Sequence, residues 1–366
     1  MKLVTNMRRL TTSVAVAAAV AGVSAVAAPA MAAPAPTATL TNGTVTVTGT
    51  TARDVIGIEI GVNQLAIDFG LDGTVDARFP VSAVQQVSVL TGSGDDGVDV
   101  SGTGVGKVPV AISGGLGNDG IGVVGNIGQS GTGDAPVTIN GGPGSDDIFA
   151  AVPGPITINA GTGDDSVEGG GAGVGHETIS LGDGNDKFVS DLNAFVGVRS
   201  DVVDGGTGKD TMEMRGSFAS ESVSLSASAG HLIVQHNIQD RIDARNIEFV
   251  TWLGFGGLDE SGTGDEVSVR DLSGTGVVNF TPDFSAPQDG TSPNNSADQL
   301  TVTGTAGADH ITVSSLGNDI TVSGLTPSVT PVQLDSKDTL RIDTLGGNDT
   351  VDSSGLRPGL VHLQVF

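Results

Sequence analysis

Gly141-Gly-Pro-Gly-Ser-Asp146, followed by Asp147-Ile148, decides the fold of this chain. The same six-residue figure returns on both sides of it. It reads Thr91-Gly-Ser-Gly-Asp-Asp96 and Gly114-Gly-Leu-Gly-Asn-Asp119 upstream. Downstream it reads Ala160-Gly-Thr-Gly-Asp-Asp165, Leu181-Gly-Asp-Gly-Asn-Asp186 and Gly205-Gly-Thr-Gly-Lys-Asp210. Two residues past each final Asp stands an apolar one: Val98, Ile121, Ile148, Val167, Phe188 and Met212. The six aspartates are separated by 23, 27, 19, 21 and 24 residues, a repeat with slippage. Short runs of period-two alternation lead into the turns, such as Val108-Pro-Val-Ala-Ile112, Pro136-Val-Thr-Ile-Asn140 and Pro155-Ile-Thr-Ile-Asn159. A strand, a glycine corner and a second strand, repeated about every 20 residues, predict an all-β, right-handed parallel β-solenoid. Val110, Val137 and Ile156 should then stack as one internal ladder, and Ile112, Ile139 and Ile158 as the next. No window outside the N-terminus has a convincing helical period.

Longer repeats flank this block. Thr46-Val-Thr-Gly-Thr50 leads to Asp54, and Thr301-Val-Thr-Gly-Thr305 leads to Asp309. Asp54 stands 42 residues before Asp96, and Asp309 stands 40 before Asp349, in the turn Leu345-Gly-Gly-Asn-Asp349. A degenerate third copy is expected from Gly216-Ser-Phe-Ala-Ser-Glu221 to Gly256-Gly-Leu-Asp259. Ser261-Gly-Thr-Gly-Asp-Glu266 reads as another turn, with Glu266 in the acidic slot. The expected organisation is a signal peptide at 1–32, a tether at 33–38 and an N-terminal β module at 39–100. The central solenoid follows at 101–215, the degenerate module at 216–282, an insertion loop at 283–298 and a C-terminal β module at 299–366.

Lys2, Arg8 and Arg9 precede an apolar stretch from Leu10 to Val26, and Ala30-Met31-Ala32 fits a cleavage site. This predicts export by an N-terminal signal peptide and an extracellular mature chain; a membrane anchor fits less well with Pro29 and the small-residue ending. No later stretch is apolar enough to span a bilayer, so stable membrane insertion is not expected. The 366 residues contain no Cys, which excludes disulfides and thiolate metal sites. Net charge is −26, and without the leader it becomes −29. Such a surface excludes nucleic acid as an expected partner. Aromatics make up 3% of the chain, with no Tyr and one Trp, which disfavours an aromatic-lined glycan cleft.

A glycine corner with a carboxylate can present backbone carbonyls and an acidic oxygen to one point. Those are the hard ligands that Ca2+ takes in sets of 6–8. One turn offers too few, so two turns a rung apart would have to share an ion, giving up to about five ions along six turns. The row is expected to break most readily at the 27-residue step. The competing reading is that Asp and Asn serve only as corner residues. The six turns, at 91–99, 114–122, 141–149, 160–168, 181–189 and 205–213, resemble the hemolysin-type calcium-binding (RTX) nonapeptide Gly-Gly-x-Gly-x-Asp-x-apolar-x. The likeness is partial at 261–269 and 344–352. It implies Ca2+ bound by Asp96, Asp119, Asp146, Asp165, Asp186 and Asp210, with Asp259 and Asp349 as weaker copies. Asp54 and Asp309 lack the flanking glycines. The nonapeptides here are not in tandem, which implies a wider rung than the compact roll of that family.

Other patterns carry less. Gly205-Gly-Thr-Gly-Lys-Asp-Thr211 lacks the first Gly and the Ser/Thr after Lys that a phosphate loop needs. Gly115-Leu-Gly-Asn-Asp-Gly120 spells a dinucleotide fingerprint without a following helix. His231 and His236 should face opposite sides of one strand and be solvated or capping; Trp252 should be core. The expected function is a non-catalytic, secreted calcium-binding repeat protein whose ions stabilise the solenoid. The alternatives are a cell-surface or matrix adhesin or spacer, and a calcium-dependent polysaccharide-acting β-helix enzyme. The latter would need a base near clustered acids, and the mature chain has Lys only at 107, 187, 209 and 337.

Overall fold

The structure, a computed structural model, describes residues 34–125, 134–169, 176–191, 199–217, 219–237, 240–254, 264–285, 293–294 and 296–366. The leader, Asp259 and half of the 283–298 insertion (286–292 and 295) lie outside the described residues. Those described form strands and one short 3-10 turn at Val81–Ala83, with no α-helix. The strands make two long sheets of 15 each, mostly parallel, an arrangement compatible with a β-solenoid. Successive strands alternate between the sheets. Val110–Leu116, Val137–Pro143 and Ile156–Thr162 pair in parallel in the first sheet, while Gly120–Val124, Asp147–Ala151 and Ser166–Gly169 do so in the second.

The alternation of small polar and branched apolar residues explains the packing. Val110, Val137 and Ile156 are in register and buried, as are Ile112, Ile139 and Ile158, so both predicted internal ladders are present. Each such side chain contributes roughly 1.5–3 kcal/mol by leaving water. One continuous apolar cluster runs from Val45 to Val361 between the sheets.

The flanking modules share this core. Each is a rung in which one strand is replaced by a three-strand antiparallel meander. Val55–Ile60, Gln64–Phe69 and Ala77–Pro80 form the first, and His310–Leu316, Asp319–Ser323 and Ser328–Val329 the last, both in the second sheet. Ser222–Ser228, His231–His236 and Asp240–Arg245 form the middle one, in the first sheet. These inserted strands account for the 42- and 40-residue intervals. The tether is shorter than expected, because the strand Thr37–Thr41 already pairs with Thr44–Thr48. Phe284, assigned to the insertion loop, is instead buried edge-on against Trp252, with ring centroids 5.5 Å apart. Trp252 is fully buried in the core, as expected.

Candidate metal centre

The six glycine turns lie on one edge, where the chain passes from the first sheet to the second. Each is hydrogen-bonded to the next through its own backbone. The N–H of Gly117 donates to Pro143 O at 3.0 Å, and that of Gly144 to Thr162 O at 2.8 Å. The N–H after each Asp donates to the Asp carbonyl one rung earlier, as Asp147 does to Asp119 O at 2.8 Å. Slot-five side chains join in: Asn118 Oδ1 accepts from the N–H of Ser145 at 2.7 Å.

Close stacking explains the glycines. Gly144 has φ +142°, and a Cβ there would lie 1.7 Å from Gly117 O. The carbonyl of each fourth-slot glycine thus occupies the space that a side chain on the next rung would need. These glycines are required by the stack whether or not an ion is present.

The aspartates form a column of their own. The N–H of Asp96 donates to Asp119 Oδ1, Asp119 to Asp146, Asp146 to Asp165, Asp165 to Asp186 and Asp186 to Asp210, all at 2.7–2.9 Å. The ladder crosses the 27-residue step unbroken, contrary to expectation. The extra residues fall in sequence between the strands Gly120–Val124 and Val137–Pro143, outside the glycine turns. The column also extends at both ends. Asp54 donates its N–H to Asp96 Oδ1 at 2.7 Å, and Asp210 donates to Glu248 Oε2 at 2.8 Å.

One oxygen in each of these turns is left over. Asp96, Asp119, Asp146, Asp165, Asp186 and Asp210 are at most 3% exposed, and the Oδ2 of every one is buried without a hydrogen-bond partner. Orphaned carboxylate oxygens of this kind are costly unless a proton or cation meets them. Burial pushes all six carboxyls above the ordinary Asp range, only partly offset by the N–H each receives. Asp146 and Asp210 rise to about 6 and Asp165 to about 7, with neighbouring carboxylates adding to the shift. No three His, Asp or Glu side chains gather into a metal cluster among the described residues. An ion here would therefore take one carboxylate and backbone carbonyls, a hard-oxygen set that fits Ca2+ and not a thiolate- or imidazole-seeking metal.

Asp54 and Asp309, outside these six turns, behave differently from them, whereas Asp265 Oδ2 is also buried without a hydrogen-bond partner. Asp54 Oδ2 accepts from the N–H of Thr50, and Asp309 Oδ2 from that of Thr305, so both close their own loops. Asp349 is half-buried and accepts from the N–H of Asp309 at 2.9 Å. It belongs to a two-acid step on the same edge, separate from the main column.

A second column, unforeseen from the glycine motif, occupies the opposite edge. The N–H of Glu221 donates to Asp265 Oδ1, Asp265 to Asp298 and Asp298 to Asp338, at 2.7–2.9 Å. Asp265, and not Glu266, fills the acidic slot; Glu266 is exposed because it falls on the outward side of the strand. Asp298 Oδ2 accepts from Asn294 Nδ2, and Asp338 Oδ2 from the N–H of Asp335. The signal for these acids was present: acid, any residue, apolar, any residue, apolar. It reads Asp265-Glu-Val-Ser-Val269, Asp298-Gln-Leu-Thr-Val302 and Asp338-Thr-Leu-Arg-Ile342.

This second column has a cation within the protein. His231 and His236 do face opposite sides, but His236 is buried, not solvated. Its Nε2 lies 3.3 Å from Glu221 Oε1 and its Nδ1 3.3 Å from Asp240 Oδ2. Burial acts to lower the imidazole, but the bonds from Asp240 and Glu221 outweigh it and push it up to about 9. A folded value above the unfolded 6.5 gives stability that is complete below 6.5 and lost as pH rises through 9. Melting at pH 7 and pH 10 should show that loss in the parent chain. The His236→Gln variant should start lower and show a smaller drop; an equal drop would remove His236 as its source.

No family model matches this sequence, and no curated protein matches it.

Proposed function

We propose that this chain is a secreted, non-catalytic calcium-binding repeat protein of the hemolysin type, in which Ca2+ taken up along the aspartate column stabilises a right-handed β-solenoid. The single observation that carries the reading is the row of orphaned Oδ2 atoms in the six glycine turns. Stacking alone accounts for the glycines, and the N–H ladder accounts for each Oδ1. Neither accounts for a buried, unpartnered carboxylate oxygen repeated six times. Bound calcium would supply the positive charge that these carboxylates lack. The residues do the rest: Oδ1 fixes the carboxylate plane against the neighbouring rung, and burial keeps competing water away from Oδ2. The N-terminal leader supports export into a medium where Ca2+ is roughly millimolar, the range of weak extracellular sites.

Melting followed by circular dichroism at pH 8, in EGTA and then in 5–10 mM CaCl₂ (roughly ten times a weak-site Kd), tests this. A rise on the order of 10 °C is expected, since saturating several sites at ten times Kd adds about 1.4 kcal/mol each. An unchanged melting temperature would sink the proposal.

A spacer or adhesin is the second reading, favoured by repeated polar files on the outer face. Thr138, Thr157 and Thr178 are in register and exposed, and Asn159 Nδ2 donates to Asn140 Oδ1 at 2.9 Å. It predicts retention of the exported chain on intact cells, measured by cell-fraction blotting with and without EGTA.

A further inference from the structure

We infer that the outer face of the first sheet, across the rungs that end in the glycine turns, is a contact surface for an uncharged polysaccharide lying along the stack of strands. This rests on the second reading above and not on the calcium sites. The alternation that buries Val137 and Ile139 turns Pro136, Thr138 and Asn140 outward, and the next rung repeats it with Pro155, Thr157 and Asn159. These strands pair in parallel and in register, so the outward residues form straight files of proline rings, hydroxyls and amides. Neighbours within a file are about 4.8 Å apart, and neighbouring files lie about 6.6 Å apart along the strand.

Charge sets this face apart. From Thr44 to Ser180, no outward residue on its strands ahead of the turns is Asp, Glu, Lys or Arg. The second sheet turns Asp99, Asp147 and Glu168 outward on the same rungs. The acids of a chain with net charge −26 are thus kept off one face. A cationic partner would settle on the second sheet or the turns, and an anionic one would be repelled. A protein partner would draw on aromatic or Arg anchors, which these strands do not present. An uncharged polymer of hydroxyls fits what is there. The Thr138, Thr157 and Thr178 hydroxyls are exposed and make no side-chain hydrogen bond among the described residues. Asn159 Nδ2 donates to Asn140 Oδ1 at 2.9 Å, which orders the amide file and leaves a donor at Asn140 and an acceptor at Asn159. The proline rings and threonine methyls supply apolar contact for the C–H faces of sugar rings. Each rung offers little alone, but an ordered repeat sums weak contacts along one polymer.

Native gel electrophoresis of the full exported chain at pH 8 with CaCl₂ tests this. The gels contain mixed-linkage β-glucan, galactomannan or dextran as uncharged polymers, and carboxymethyl dextran as the anionic one. At least one uncharged polymer should slow the chain, and carboxymethyl dextran should not. Thr138→Val with Thr157→Val keeps the β-branched shape and should weaken binding roughly ten-fold, the loss of two neutral hydrogen bonds. Thr138→Glu with Thr157→Glu should abolish it. Ser166→Glu with Thr211→Glu, on the second sheet beside Lys187, should leave it unchanged. Far-UV circular dichroism verifies the fold of each variant. Binding that survives both threonine pairs would place the contact elsewhere and overturn the inference. Retardation by none of the three uncharged polymers would overturn the ligand class; were the chain still retained on intact cells, the adhesin reading would stand.

Discussion

Gly144→Ala is expected to lower the melting temperature by roughly 3–7 °C, with or without calcium. Two effects add. A non-glycine residue at φ +142° is strained by about 1–2 kcal/mol. Its Cβ would lie 1.7 Å from Gly117 O, and relieving that contact means pulling two rungs apart, at about 1–3 kcal/mol. At roughly 1.5 °C per kcal/mol, which about 2.1 cal/mol/K per residue gives for a chain of this size, the sum of about 2–5 kcal/mol falls in the stated range. The rungs share hydrogen bonds at three turn positions, so the opening also weakens the N–H of Gly144 to Thr162 O and of Ser145 to Asn118 Oδ1. Ser145→Ala is the control: the exposed hydroxyl takes no part in the ladder, and the change should stay within about 0.5 kcal/mol. Thermal melts of the two variants decide it. Equal stability of Gly144→Ala and the parent would show that the rungs are not stacked this closely.

In EGTA, the chain should melt at a higher temperature at pH 5 than at pH 8, the reverse of most proteins rich in paired carboxylates. Burial raises Asp165 to about 7 and Asp338 to about 7, and burial with the charges of Asp298 and Glu221 raises Asp265 to about 8. Their unfolded values are near 3.8. Between that value and the folded one, the native state keeps a proton that the unfolded chain has released. The stability these carboxyls contribute therefore falls as pH rises through this window, and their share of the fall ends above about 8. Relief of self-repulsion in a chain of net charge −26 acts in the same direction. Carboxylates held above their ordinary range by a missing partner differ from salt-bridged ones such as Glu213, which Lys187 and Arg215 hold low. Calcium should invert the trend, because its ligands must be ionised. The calcium-induced rise in melting temperature should be largest at pH 8 and vanish near pH 5. A metal-free chain that melts lower at pH 5 than at pH 8 would refute the buried, ionisable column.

Local chemistry made the glycine edge legible. Glycine at two fixed slots, Asp at the sixth and an apolar residue at the eighth specify a corner followed by a half-buried strand, and the strand alternation fixes which residues face the core. Val110 over Val137 over Ile156 follows from that alone. What the sequence does not fix is where the acids outside the glycine turns end up. Glu221, Asp265, Asp298 and Asp338 precede the same apolar alternation as Asp96 or Asp119. They stand on the other edge because the meander at Ser222–Arg245 sits in the first sheet, and a meander's sheet is set by packing between rungs. The same is true of His236, whose strand alternation buries it but whose partners arrive from Glu221 and Asp240 by pairing. Whether a carboxylate oxygen is satisfied or orphaned is also a tertiary property. Asp265 and Asp298 precede the same apolar alternation, yet Asn294 Nδ2 donates to Asp298 Oδ2 while Asp265 Oδ2 is buried without a hydrogen-bond partner. A hydrogen bond between rungs depends on the height at which two turns stack, and sequence spacings of 19 to 27 residues carry no information about that height.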